Sequence, residues 1–392
     1  MTKESNYLHT QTRLSQQIHS QTSGANHAIN GAKRLDALLD LLGTPSTNIL
    51  FTDHLPMIQY LCGFRGSNGT LLVRFNEVPE LYLCTDGRYL EQAKIDAERH
   101  GVALAIGFEP ILGSNGLLSS GSRTSAIAVD LHSLTLTSYL ALTEAGHQLV
   151  DVSAALMTMR ARKDPSEIAA ITEACRIADL AMDATLEHLD DQPSELELAG
   201  WFEYYVRVHG GEGVSFPTIV ASGARTSLPH AQPTRQRIVA PTPVVVDFGA
   251  KFEGYCSDST RSFFLGDPPE DYRLAYEQVA GAKAAAVARL EPGDRVHSVE
   301  SAARTSLREH GVEQYLLHGV GHSVGLEIHE PPITSTGTDT DIEANMCLTV
   351  EPGLYFAGSF GIRLEDLYLT TASKPIALTD SSATGMCFGR IG

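Results

Sequence analysis

The sequence predicts a two-domain α+β protein, with a smaller α/β domain followed by a larger domain in which helices back a curved antiparallel sheet. Three observations carry this. A chain of 392 residues is too long for one compact core and long enough for two. The first part alternates short apolar runs with helical stretches, the pattern of an α/β layer. The second part holds two segments, 244–261 and 348–368, in which apolar strand residues run up to and away from a glycine-bearing turn, as hairpins do.

Residues 1–30 are rich in Gln, Ser, Thr, His and Asn and poor in large apolar side chains, so they are expected to form a flexible tail. A helix is expected from about residue 30, with Leu35, Leu38, Leu39 and Leu42 at helical spacing and a stop at Gly43. Strands are expected at 48–51, 69–74, 81–84 and 126–129, with helical stretches such as 89–100 between them; the α/β domain is taken to span 31–158. The composition then shifts to a charged linker within 157–163, and the larger domain is taken as 159–392. Its first helix begins where Asp164 can cap, Pro165 occupies the first helical position and Glu167 the first turn. Ile168, Ile171, Ala174, Ala178 and Met182 make one apolar stripe along it. A second long helix, about 271–290, carries AGAKAAAVARL, whose alanines allow close packing behind a sheet.

The net charge of -18 excludes a nucleic-acid partner, because phosphate binding needs a positive footprint. No apolar run reaches the ~18 residues of a membrane span, and the polar N-terminus lacks a secretory core. No membrane association is expected, and the expected location is the cytoplasm. Six dispersed cysteines show neither a metal-binding spacing nor a disulfide framework, so they are expected to be reduced.

The residues that carry chemistry are scattered. Asp247 and Asp258 lie symmetrically about a turn expected at 252–253, and Glu351 and Glu365 lie symmetrically about Gly358. If both segments pair as hairpins, each pair of carboxylates meets across its ladder. With an imidazole from HGVGH added, such a bowl repels itself unless cations fill it, so a dinuclear divalent metal site is expected. Each piece has a plainer reading: Asp247 as a strand-end turn residue, Glu365 with Asp366 as a solvated strand face, and His318 with His322 as a helical zinc pair. Gly319, Gly321 and Gly325 make that helix costly, so these histidines are expected on a strand or loop.

Taken in order, FPTIVASGARTSLPH, VVVDFGAKFEGYCSDSTRSF, HGVGHSVGLEIHEPP, LTVEPGLY and GIRLED resemble the motifs of the metallopeptidase family that includes Xaa-Pro aminopeptidase, prolidase and methionine aminopeptidase, whose catalytic domain has the pita-bread fold. The likeness covers the chain from about residue 160. FRGSNGTLLV and LCTDGRYLEQA resemble the smaller N-terminal domain of aminopeptidase P and prolidase, which methionine aminopeptidase lacks. The resemblance implies metal ligation by Asp247, Asp258, His322, Glu351 and Glu365, with Asp258 and Glu365 bridging, Asp247 chelating one ion, and His322 with Glu351 completing the other. It also implies that Glu351 doubles as a proton shuttle and that His230 and His329 act on the tetrahedral intermediate or seat the substrate. His318, Tyr355 and Arg363 would form the pocket for a proline ring, unless Arg363 serves only to neutralise nearby carboxylates.

The implied cofactor is a pair of divalent ions, with manganese expected from the carboxylate-rich set and cobalt or zinc as alternatives. The implied substrate is a proline-containing peptide cut at its N-terminal Xaa-Pro bond, and a homo-oligomer, dimer or tetramer, is expected. Many prolidase-like members carry an arginine directly after the HExP motif. Ile333 stands there instead, which favours an Xaa-Pro aminopeptidase acting on longer peptides over a strict Xaa-Pro dipeptidase. A creatinase-like hydrolase without metal, or an inactive peptide-binding relative, would lack ligands or the two histidines, and this chain keeps all of them.

Overall fold

The computed structural model describes residues 31–42, 47–113, 115–119, 125–335, 337, 339–379 and 387–388. The expected tail and the stop at Gly43 therefore lie outside the described residues. The chain divides between Arg160 and Ala161 into two units.

In the first unit, helix α1 (Gly31–Leu42) precedes β1 (Ile49–Thr52), α2 (Leu55–Cys62), β2 (Thr70–Arg74), β3 (Glu80–Cys84), α3 (Leu90–Arg99), β4 (Leu104–Gly107), β5 (Ala126–Val129), α4 (Leu136–Glu144), β6 (Gln148–Asp151) and α5 (Ser153–Ala161). The six strands form one sheet in the order β4-β3-β2-β1-β5-β6. β1 to β3 pair antiparallel and the remaining neighbours parallel, so the sheet is mixed. Phe51, Leu72, Ile127, Val129 and Leu142 fill one of its apolar faces. β4 and β6, absent from the sequence reading, are short and mostly half-exposed, and so lack the apolar alternation that marks a strand.

The second unit opens with α6 (Pro165–Leu186). Asp164 Oδ1 accepts from the amides of Ser166 (2.9 Å) and Glu167 (3.0 Å), and Glu167 Oε2 accepts from the Asp164 amide at 3.0 Å, closing a capping box. The stripe from Ile168 to Met182 is fully buried. With α7 (Glu195–Val208), α6 covers β8 (Ile219–Ser222), β9 (Thr242–Phe248) and β12 (Ser259–Leu265) through Ile177, Ala181, Phe202, Val220, Val246 and Phe263. A second helix pair, α8 (Glu270–Val287) and α9 (Val296–Glu309), packs through Ala282, Ala286 and Ala303 against Leu348, Leu354 and Ile362. Full burial of each large aliphatic contributes about 1.5–3 kcal/mol, so these two apolar layers hold the strands that bear the polar site.

Strand register decides where the acidic residues point. β9 pairs antiparallel with β12, with Phe248 opposite Ser259 and Asp247 opposite Thr260. The same register continues through the small hairpin of β10 (Ala250–Phe252) and β11 (Tyr255–Cys256), which turns at Glu253 and Gly254, both at positive φ (48° and 81°). This corrects the turn expected at 252–253 and the directly opposed Asp247–Asp258 pair. A two-residue turn of the I′ kind needs two positive-φ residues, and Gly254 supplies the second. Asp258 lies two residues from Asp247's partner, a diagonal offset that keeps both on one face because side chains alternate with period two. The chain here is so close that a Cβ on Gly249 would meet the Ser257 carbonyl oxygen at 2.0 Å.

The second hairpin is centred on Gly358 throughout. β15 (Cys347–Val350) pairs with β18 (Asp366–Leu369), Val350 opposite Asp366, and β16 (Gly353–Phe356) pairs with β17 (Phe360–Arg363), Gly353 opposite Arg363. Glu351 and Glu365 hold opposed positions between the two ladders. There the backbone changes partners: the Glu351 amide donates to the Val320 carbonyl (2.8 Å) and the Glu365 amide to that of Thr260 (3.2 Å). These bonds bring the His318–Ser323 segment to one side of the hairpin and β12 to the other.

Candidate metal centre

Asp247, Asp258, His322, Glu351 and Glu365 line one cavity of about 300 Å³, together with His230, His318, His329, Phe216, Ile219, Ile328, Ile333 and Arg363. Asp258, His322 and Glu365 are buried and offer ligand atoms all within 4.8 Å of one another. His322 lies on β13 (His322–Ser323), and its Nε2 is 3.5 Å from both Asp258 Oδ2 and Glu351 Oε1. These are not ion pairs. Burial, and after it the neighbouring His329, push His322 down to about 4, so the ring is neutral near pH 7. Its Nδ1 lies 3.1 Å from the Ser323 carbonyl, which can only accept, so the ring proton sits on Nδ1. Nε2 then presents a lone pair to two carboxylate oxygens.

Acceptors that face one another require a cation between them. Asp247 Oδ1 and Glu365 Oε1 are buried and have no hydrogen-bond partner, while the second oxygen of each is held: Asp247 Oδ2 by Arg363 Nη2 (2.6 Å) and Glu365 Oε2 by Thr260 Oγ1 (2.7 Å). Burial, then the charges of Glu365, Asp247 and Glu351, raise the Asp258 carboxyl well above the usual range. Burial and then Glu365 do the same to Glu351, and burial followed by Asp247 lifts Glu365 to about 7. Orphaned oxygens, a committed imidazole proton and self-repelling carboxylates all fit a site for divalent cations, with oxygen donors and one nitrogen.

The other expected residues divide. His230 and His329 line the cavity, and the His329 ring stands edge-on to His322 with centroids 4.4 Å apart. His318 also lines it, but its Nε2 is 2.8 Å from the Tyr355 hydroxyl and its Nδ1 2.6 Å from the Gly319 carbonyl. Tyr355 is buried behind the wall and is not a lining residue. Arg363 uses four of its five N–H donors: Nη2 on Asp247, Nη1 on the Tyr355 hydroxyl (2.8 Å) and the Pro229 carbonyl (3.0 Å), Nε on Thr260 Oγ1 (3.0 Å). This geometry matches the neutralising role of Arg363 and places Tyr355 as its hydrogen-bond partner rather than a wall of the cavity.

Several supporting residues were invisible in the sequence. Lys163, read as part of a charged linker, is wholly buried and donates to Ser323 Oγ (2.9 Å) and Glu330 Oε2 (3.2 Å), the neighbours of His322 and His329. Arg261 Nη1 donates to the carbonyls of Thr260 (3.1 Å) and Glu365 (2.6 Å), joining the two hairpins beside a candidate ligand. Glu195 holds the loop that carries His230. A basic residue flanking an apolar helix, or an acidic one in its first turn, reads from sequence as an ordinary surface group.

Comparison with known proteins identifies the family. The model of metallopeptidase family M24 matches residues 169–372. The chain belongs to that family. The creatinase/prolidase N-terminal domain matches residues 34–162. An uncharacterized peptidase of Bacillus subtilis is 31% identical over 356 residues, covering 89% of this chain and 98% of that protein. Among solved structures, the X-Pro aminopeptidase of Thermotoga maritima is similar at 29% identity and a TM-score of 0.77, over 87% of this chain and 98% of that one. The prolidase of Pyrococcus horikoshii is similar at 29% identity and a TM-score of 0.82, over 89% and 99%. The protein is thus a pita-bread metallopeptidase with a separate N-terminal domain. No helix among the described residues is long and apolar enough to cross a membrane.

Proposed function

We propose that this metallopeptidase hydrolyses the N-terminal Xaa-Pro bond of proline-containing peptides, releasing the N-terminal amino acid. The observation that carries the reading is the one cavity lined by five potential ligands together with His230 and His329. Asp247, Asp258, His322, Glu351 and Glu365 would hold two divalent ions, manganese being our first choice for an oxygen-rich set with one nitrogen. When bound, such ions activate water and polarise a carbonyl. The chain's own groups do the rest. Glu351 takes a proton from the attacking water and delivers it to the leaving nitrogen, which as a tertiary X-Pro amide has no hydrogen of its own. His230 and His329 donate to the oxygen on which charge develops.

The preference for peptides longer than two residues rests on charge. Arg363 is the one Arg or Lys side chain among the described lining residues, and four of its five N–H donors are committed to Asp247, Tyr355, Pro229 and Thr260. Ile333 lines the cavity and is 48% exposed. Among the described lining residues no unpaired cation faces the carboxylate of a dipeptide, since the Arg363 charge is paired with Asp247, so extension past proline strands no buried charge. The Xaa-Pro dipeptidase reading is favoured instead by a similar protein, the prolidase of Pyrococcus horikoshii. Kinetics of the metal-loaded enzyme on Xaa-Pro, Xaa-Pro-Yaa and Xaa-Ala-Yaa separate the two. We expect kcat/KM on the tripeptide to equal or exceed that on the dipeptide, with little action on the alanine peptide. Cleavage confined to Xaa-Pro would establish the dipeptidase, and equal cleavage of the alanine peptide would remove proline specificity.

A further inference from the structure

The His230 ring makes no hydrogen bond among the described residues, although it lines the cavity beside the ligands. Its place is therefore set by the backbone of its loop, which leaves β8 at Ser222 and passes through Pro229, His230 and Thr234. The two ends of that loop meet on one buried carboxylate. Glu195, the first residue of α7 and wholly inaccessible to solvent, accepts through Oε1 from the Ser222 amide (2.8 Å) and Ser222 Oγ (3.0 Å). Through Oε2 it accepts from the Thr234 amide (2.9 Å) and Thr234 Oγ1 (2.7 Å). Arg225 Nε reaches both oxygens, at 3.3 and 3.2 Å, while its Nη2 donates to the Gln232 carbonyl at 2.5 Å. Farther along the loop, the Pro229 carbonyl accepts from Arg363 Nη1, and Thr226 Oγ1 accepts from the Gly361 amide at 2.9 Å.

A helix-start glutamate of ordinary function faces solvent and its own first-turn amides. Glu195 instead spends both oxygens on residues 27 to 39 positions away that flank His230. We propose that Glu195 is the positioning residue for His230: its carboxylate closes the base of the loop and so fixes the imidazole over the reacting carbonyl. The inference rests on the catalytic reading of His230 given above. A charged acceptor is required because the donors converge from two backbone amides, two hydroxyls and a guanidinium; an amide at this position would turn its own N–H groups toward one set of them.

The test compares wild type, Glu195→Gln, His230→Ala and the double variant, all metal-loaded, by kcat and KM on an Xaa-Pro-Yaa tripeptide and by bound metal per chain. Glu195→Gln should lower kcat by roughly 10–100-fold, the effect of a catalytic group displaced by about an ångström, with KM and metal content near wild type. In the His230→Ala background the same change should alter kcat by less than about twofold, because a positioning residue has nothing left to position. An equal loss of kcat in both backgrounds, or a loss that follows metal content, overturns the inference while leaving His230 in its role. An unchanged kcat in His230→Ala alone removes that role and the inference with it. If Glu195→Gln does not fold, Thr234→Val, which deletes one hydroxyl donor and keeps the carboxylate, carries the same comparison with a smaller expected loss.

Discussion

Replacing Arg363 by methionine should destabilise the metal-free protein more than the metal-loaded one. Arg363 and Asp247 form a 2.6 Å pair whose side chains are 3% and 13% exposed. Arg363 also donates to Tyr355, Pro229 and Thr260. Without cations, methionine leaves the Asp247 carboxylate in a closed site with both oxygens unpaired, because Oδ1 already has no partner. Breaking a buried pair in this way costs about 3–5 kcal/mol. For a unit of this size each kcal/mol lowers Tm by about 2–4 °C, so a fall of roughly 6–20 °C is expected in chelator. With divalent ions bound, the Asp247 charge faces cations and the main loss is of the three hydrogen bonds to neutral partners, about 1.5–4.5 kcal/mol in total and common to both conditions, so the difference between the conditions reports the Asp247 pair. Calorimetry of both proteins, with chelator and with manganese, measures the two differences. Equal destabilisation in the two conditions, or a shift below about 2 °C in chelator, would refute the assignment of Arg363 as the counter-charge of an otherwise unsatisfied ligand.

Asp258→Ala and Glu365→Ala should each lose bound metal together with turnover, since each would remove a ligand proposed to bridge the two ions; retention of both ions at near-normal rates, read by elemental analysis, would be incompatible with bridging. His230→Ala and His329→Ala should keep their metal and lower kcat by roughly 10²–10³, as the loss of one preorganised oxyanion donor does. Metal loss or unchanged kinetics in either variant would count against its role. His318 is held down from 6.5 to about 4, first by burial and then by Arg363. The folded state keeps it neutral, so its contribution is complete above about pH 6.5 and is lost as the pH falls toward 4, ~3 kcal/mol in all. His318→Gln should flatten that part of the acid limb in urea unfolding from pH 7 to 4, and curves parallel to wild type would contradict the shift.

Much of this site is legible in the sequence because hairpins carry local signals. Gly358 centres the second hairpin, and strand alternation on either side fixes Glu351 against Glu365. The turn of the first hairpin lies one residue beyond its expected place, since it needs positive φ at Glu253 as well as Gly254 and only the glycine advertises it. The even offset kept Asp247 and Asp258 on one face despite the error. The strands 70–74, 80–84 and 126–129 stand out through their β-branched and leucine-rich runs, whereas β4 is too exposed to do so. What stayed hidden is tertiary. Lys163 meets Ser323 and Glu330, and Glu195 meets Ser222 and Thr234, across separations that no local period encodes. Motif position places Tyr355 beside Arg363 but does not say that its hydroxyl is spent on Arg363 behind the cavity wall, because it says which residues gather and not which atoms are already bonded to one another.

The central claim, a dinuclear centre built from these five side chains, is tested most directly by titrating manganese into the chelator-stripped 392-residue chain and counting bound ions per chain. Two ions per wild-type chain, falling to one or none in Asp258→Ala, is the predicted result. A wild-type protein that binds none, or that reaches full turnover on Xaa-Pro-Yaa with no bound ion, would contradict it.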